Sequence, residues 1–213
     1  MPAPAPATLT KALQTVVTPH LSDNLQRLCG VAGLYKFHRS RKLVGTAVTV
    51  KARPGDNLLI YKALMLMQPG HVLVVDGAGD PTNALVGELL MLYARQRGCA
   101  GFVIDGAVRD TAAFYAADFP CYARSVSHRG PYKAGPGAIN VPVTIGGQVI
   151  APGDVIVGDE DGIVSFPQSE ADALLVAARQ SASNEELIKE EIASGSVNQS
   201  WLTKVLVLHG LAD

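Results

Sequence analysis

One layered α/β domain, with helices packed on a sheet that bends against itself, is the fold class predicted by these 213 residues. Three observations carry that expectation. Apolar strand-like runs alternate with helical stretches from Leu43 to Val126. From Gly130 to Pro167 the chain turns to glycine, proline and β-branched residues, the composition of short strands and tight turns. No linker or low-complexity stretch interrupts it, so residues 1–213 read as a single domain, with N-terminal helices over 8–30 and C-terminal helices over 169–210.

Each element follows from local pattern. After a Pro-Ala leader, LTKALQTVV (9–17) and SDNLQRLCG (22–30) read as two short helices, the second with Ser22 as N-cap and Gly30 as stop. LVGTAVTVKA (43–52) alternates like a strand, and GDNLLIYKALMLMQPG (55–70) is a helix closed by Pro69-Gly70. HVLVVDGAGD (71–80) is a strand ending in a turn. GELLMLYARQRG (87–98) sets Leu89, Leu90, Leu92 and Tyr93 at helical spacing and stops at Gly98. GFVI (101–104) is a buried strand that turns through Asp105–Val108. A helix in TAAFYAAD (111–118) and a short strand in PCYARSV (120–126) follow. GDEDG (158–162) reads as a hairpin turn rather than a metal-binding acid cluster. A long helix over 169–194 opens on the S-x-x-D signal of Ser169 and Asp172, and QSWLTKVLVLHG (199–210) closes the chain as a helix.

Composition narrows the function classes. Lys and Arg total 18 against 19 Asp and Glu, so no basic field recommends nucleic acid as a partner. No apolar run is long enough to span a membrane, and MPAPAPATLT lacks the regions of a signal peptide, which points to the cytoplasm. Cys29, Cys99 and Cys121 read as buried free thiols, and the five scattered histidines offer no zinc pattern. With 48% apolar and only 17% charged residues, the chain favours burying surface in a homo-oligomer.

Two stretches invite a functional reading, and they echo one another: VLVVDGAGD (72–80) and FVIDGAVRD (102–110). Two strands ending in the same Asp-Gly-Ala sequence put both on one edge of the sheet, where open α/β sheets bind ligands. VVDGAGD alone is a poor dinucleotide or S-adenosylmethionine loop, since the third fingerprint glycine is missing, and a Gly-rich turn is the plainer reading. The trio Glu88, Arg109 and Asp110 is richer. A helix starting at Gly87 leaves the amides of Glu88, Leu89 and Leu90 unpaired, which suits a carboxylate. Arg109 can grip the same carboxylate at two points, and Asp110 offers a hard oxygen to Mg²⁺ or Mn²⁺. Equally open from spacing alone is that Asp110 caps the next helix while Arg109 pairs with Glu88. Lys133, in GPYKAGPG, reads as a solvated loop lysine rather than a Schiff-base former.

The pattern Glu88-x20-Arg109-Asp110, set in GELL and DGAVRD, resembles the acid-x20-Arg-Asp signature of the divalent-metal pyruvate aldolases of the RraA-like family, among them the 4-hydroxy-4-methyl-2-oxoglutarate / 4-carboxy-4-hydroxy-2-oxoadipate (HMG/CHA) aldolases. The likeness extends through GTAVTV, PGDN, PGHVLVV, INVPVTIGGQVIAPGDVIVGDEDGIVSFP and NEE, roughly positions 40–195. It implies a swivelling β/β/α domain (phosphohistidine-domain-like), assembled as trimers or dimers of trimers with sites between subunits. By position, Asp110 matches the ligand of Mg²⁺ or Mn²⁺, and Arg109 the residue binding the pyruvate carboxylate and enolate oxygen. Gly87, Leu89 and Leu90 match the carboxylate-binding helix start, and Glu88 a water-holding acid that is more often Asp. Glu185, with Glu186 the second choice, matches an acid reaching in from the neighbouring subunit. Asn57 matches a polar residue near the substrate, or simply a helix cap. The implied activity is cleavage of 4-hydroxy-2-oxo acids to pyruvate through a metal-stabilised enolate, with oxaloacetate decarboxylation on the side. The family's non-catalytic RraA regulators, which bind a ribonuclease, lack the acid after the arginine; this sequence keeps it. A methyltransferase built on DGAGD is a further alternative.

Overall fold

The computed structural model describes residues 1–211; positions 212 and 213, the end of the expected domain, lie outside the described residues. Two short helices, α1 (Ala7–Leu13) and α2 (Thr18–Asp23), precede a two-residue edge strand, β1 (Tyr35–Lys36), and then β2 (Leu43–Ala52). Three helix–strand units follow: α3 (Leu58–Leu66), β3 (His71–Val86), α4 (Glu88–Gln96), β4 (Gly101–Val108), α5 (Thr111–Ala117) and β5 (Cys121–Val126). Five short strands come next: β6 (Gly137–Ile139), β7 (Val143–Ile145), β8 (Gln148–Ile150), β9 (Val155–Asp159) and β10 (Gly162–Phe166). The long α6 (Ala171–Ser194) and α7 (Ser200–Leu208) close the described chain.

The main sheet runs β1-β5-β4-β3-β2-β9-β10, with β2 to β5 mutually parallel. Alternating side chains explain its layers. Leu73 and Val75 of β3, with Phe102 and Ile104 of β4, pack under α3, α4 and α5. Val72, Val74 and Val103 face the other way, toward Val143, Ile145 and Ile150 of the separate β7–β8 hairpin. The run of short strands expected from composition returns to one edge of β2. Leu43–Thr46 pair with β9, whereas Val50–Ala52 pair with β6, so two different strands share that edge. A third cluster, including Leu13, Leu21, Phe166 and Leu174, seats α1, α2 and α6 on the β9–β10 end.

Four local expectations need correction. Ser22 does not cap a helix over 22–30; α2 begins at Thr18 with Pro19 in its first turn, and Gln26 and Arg27 are left-handed. Its cap comes from far away, because the Asp159 carboxylate accepts the Thr18 backbone N–H at 2.8 Å and the Thr18 hydroxyl at 2.5 Å. The Asp-Gly-Ala segments are not turns but strand: Asp76 pairs with Asp105, and β4 continues to Val108. Strand β3 then bulges, with register shifts at Asp76/Asp80, Asp80/Ala84 and Ala84/Val86. Ser169 does not cap α6, which is led in by a 3₁₀ turn over Gln168–Glu170. Cys99 and Cys121 are buried as expected, and burial pushes both thiols up, Cys99 to about 12; Cys29 is only partly buried. Among the described residues, no helix is long and apolar enough to cross a membrane.

Candidate functional site

The parallel strands β3 and β4 end side by side, and the turns that leave them make one wall each of a small cleft of about 50 Å³. Its lining includes Asn57, Gly87, Leu89, Leu90, Arg109 and Asp110, so the structure brings six of the expected site residues together. Ligand sites at the carboxyl ends of parallel strands are the rule in open α/β sheets, because helix starts and loop side chains converge there.

Asp110 organises the junction. It sits in the left-handed region at φ 56°, a conformation that costs most residues with a side chain roughly 1–2 kcal/mol. Although it occupies the N-cap position of α5, its side chain makes no cap bond there. Instead Oδ2 accepts the backbone N–H of Glu88, at the start of α4, at 3.1 Å. Arg109 Nε lies 3.7 Å from the same oxygen, and among the described residues no ion pair joins Arg109 to Glu88. The cap-and-pair alternative is thereby overturned: Asp110 faces the preceding helix, not its own. Gly87 is what permits the approach, since a Cβ there would lie 2.5 Å from Asp110 Oδ2 and 2.9 Å from Arg109 Cγ.

With Glu88 N–H taken by Asp110, the amides of Leu89 and Leu90 remain in the first turn of α4, where a helix has no backbone acceptors of its own. The positive end of the helix dipole and the Arg109 guanidinium make the same corner attractive to an anion. Asn57 forms another wall. It is 3% exposed, and its Nδ2 donates to the Leu85 carbonyl at 3.0 Å. Its Oδ1 is buried without any partner in the structure. An orphaned acceptor beside a cleft calls for a donor from a ligand or a bound water. The helix-cap role open to Asn57 in the sequence is absent: it stands at the N-cap of α3, but its side chain makes no cap bond.

Other expected residues fall outside the cleft. The Glu88 side chain is exposed, and this residue contributes its amide to Asp110 rather than a wall to the site. Glu185 lies on α6, where it meets His20 Nε2 at 2.5 Å and Lys189 at 3.0 Å. Those two partners hold its carboxyl below the usual carboxylate range, His20 first. Glu186 is exposed and pairs with Lys189 at 2.9 Å. The cleft also takes in residues that were not read as site residues, Lys133 and Tyr61 among them. Lys133, read as a loop lysine, lines the cleft with its ammonium 5.8 Å from the Tyr61 ring centroid. No local signal marks it, because the loop carrying it is placed by contacts distant in sequence.

The glycines of VVDGAGD serve the bulge. A Cβ at Gly77 would strike Leu85 at 2.6 Å, and Gly79 lies against the Arg124 side chain that pairs with Asp105. That packing answers the cofactor-loop reading with a structural one.

The chain is similar to several known proteins. A protein-family description, RraA-like (Aldolase/RraA), matches residues 18–165. A protein of Halalkalibacterium halodurans named "Putative 4-hydroxy-4-methyl-2-oxoglutarate aldolase" is 38% identical over 195 residues, 91% of this chain and 93% of that one. Among solved structures, Streptomyces coelicolor RraAS2, described as an unusual member of the RNase ES inhibitor RraA protein family, superposes with a TM-score of 0.80 at 27% identity, covering 88% of this chain and 99% of that one. The RNA-processing inhibitor RraA from Thermus thermophilis gives 0.66 at 32% identity over 71% of this chain and 92% of its own. On sequence and fold alike, this chain belongs to the RraA-like family.

Proposed function

We propose that the protein is a divalent-metal-dependent lyase that cleaves 4-hydroxy-2-oxo acids of the 4-hydroxy-4-methyl-2-oxoglutarate type to pyruvate, and that decarboxylates oxaloacetate as a side reaction. The observation that carries this reading is the convergence, in one cleft, of the Arg109 guanidinium, the Asp110 carboxylate and the open amides of Leu89 and Leu90. The relative's aldolase name supports it.

The donor set suits Mg²⁺ or Mn²⁺. Asp110 Oδ1 has no hydrogen-bond partner among the described residues, and no trio of His, Cys, Asp or Glu stands ready to cage an ion there. A hard cation that keeps most of its waters needs no more than one or two carboxylates. When bound at Asp110, such an ion supplies Lewis-acid polarisation of the keto group. The chain's own residues do the rest. Leu89 and Leu90 amides hold the substrate carboxylate, and Arg109 fixes it in the plane that the developing enolate requires. As the C3–C4 bond breaks, its electron pair forms the C2=C3 bond while the carbonyl π pair moves onto the keto oxygen, where the guanidinium stabilises the charge; a water then gives C3 the proton that completes pyruvate. Asn57 Oδ1 accepts a hydrogen bond from the substrate or a water, holding the reacting end against β3. The proton leaving the C4 hydroxyl goes to a water ordered by Glu185 of a neighbouring copy, which is why we assign the active species as a homo-oligomer, trimer or dimer of trimers, in the cytoplasm.

Pyruvate release from oxaloacetate tests this directly. EDTA is expected to abolish it, and added Mg²⁺ or Mn²⁺ to restore it. Full turnover in excess EDTA would remove the metal from the proposal. The solved relatives described as ribonuclease inhibitors favour a second reading, a non-catalytic regulator. That reading gains if no turnover is found with any divalent ion while the protein inhibits a ribonuclease.

A further inference from the structure

The loop carrying Lys133 reaches the cleft because a carboxylate far away in the sequence holds it. Asp56 is 2% exposed and does not line the cleft. Its Oδ1 accepts the Leu58 N–H at 2.9 Å, at the start of α3, while Oδ2 accepts Ala134 N–H at 2.6 Å and Gly135 N–H at 2.9 Å. Backbone bonds reinforce the same junction: Tyr132 N–H donates to the Gly55 carbonyl at 2.8 Å, and Asn57 N–H to the Tyr132 carbonyl at 3.0 Å. One buried side chain therefore ties together the residues on either side of it: Asn57 next in the chain, and Lys133 immediately before its Ala134 donor. Burial works to raise the Asp56 carboxyl, but the amides of Ala134, Leu58 and Gly135, with Arg53, outweigh it and hold it below the usual range. A charged acceptor bonded to three amides fixes geometry more firmly than a neutral one.

We propose that Asp56 is a positioning residue for substrate recognition, setting Lys133 at the cleft wall as a preformed cation for the second anionic group of a 2-oxo dicarboxylic acid. This rests on the 2-oxo acid reading above. Arg109 and the α4 amides account for the first carboxylate; Lys133 is the further cation lining the cleft. A free loop would have to be ordered at each binding event, which weakens affinity, whereas a pinned one is ordered in advance.

The test compares two reactions in Mg²⁺: steady-state turnover of oxaloacetate, and exchange of the pyruvate methyl protons with deuterium, followed by NMR. Asp56→Asn places an N–H₂ or a weaker acceptor against the two loop amides. The ratio of oxaloacetate kcat/KM to the pyruvate exchange rate is expected to fall about 10-fold or more, mainly through KM. Adding Asp56→Asn to Lys133→Met should lower the ratio no further, because both act through one contact. Ala134→Pro, which removes one donor from an exposed residue, should shift the ratio the same way and serves if the buried substitution does not fold. A purely structural Asp56 would lower both activities together and leave the ratio unchanged, which overturns the inference. Wild-type protein that performs neither reaction overturns the 2-oxo acid reading and this inference with it.

Discussion

Arg109 and Asp110 are adjacent in sequence yet do separable things, because the left-handed backbone at Asp110 turns its carboxylate back onto α4 while Arg109 stays half-exposed in the cleft. Asp110→Ala is expected to leave almost no turnover at any metal concentration. Arg109→Lys keeps the charge but loses the planar two-point grip, and should lower kcat/KM by about 10²-fold while metal binding persists. Metal titration alongside steady-state kinetics checks both; wild-type behaviour by Arg109→Lys would place the site elsewhere. The Glu88-x20-Arg109-Asp110 spacing was legible because both ends of it are strand ends, and two neighbouring parallel strands must terminate close together. What it did not reveal is that Asp110 itself takes the Glu88 amide. Nor was Lys133 legible, since the acceptor that places its loop stands 78 positions from the Ala134 donor.

At the scale of elements, sequence pattern sufficed where a segment's own burial decides its state. Strand β2 has the expected limits, Leu43–Ala52, because nearly every residue in it is buried. It failed where a remote group decides. Helix α2 has a plausible cap in Ser22, but Asp159, 141 positions away, captures Thr18 instead. Asp159 is nearly buried and also lies 3.7 Å from Lys42 Nζ, whose ammonium in turn donates to the Val16 carbonyl. Burial lowers the Lys42 pKa, and Asp159 opposes that shift. Asp159→Ala therefore removes a cap and leaves a buried cation unpaired, and should cost about 3 kcal/mol of stability. A denaturant midpoint shifted by much less would mean that water replaces the carboxylate at α2.

On the scale of the molecule, the described chain ends in an arm. From Ser183 to Leu211 nearly every side chain is exposed, among them Leu187, Ile188, Trp201, Val207 and Leu208. Exposed apolar surface of that extent is the kind that protein partners cover, and Glu185 lies on the same segment. If the contact is with another copy, sedimentation at micromolar concentration should show a trimer or larger. The emission of Trp201, the chain's only tryptophan, should shift to the red on dilution as turnover per chain falls. A fully active monomer would exclude a shared site.

The bulge of β3 separates two jobs that a plain strand would merge. Between Asp76 and Val86 this strand spends ten steps, while β4 advances only from Asp105 to Val108. Pairing touches down at Asp80, Ala84 and Val86, opposite Gly106, Ala107 and Val108, and Pro81 and Thr82 between the first two are exposed. Length can therefore vary between those contacts without moving Gly87. The excursion works as slack in the chain, a place where residues could be added or removed to reshape the neighbourhood of the cleft while the corner of Gly87, Arg109 and Asp110 keeps its coordinates.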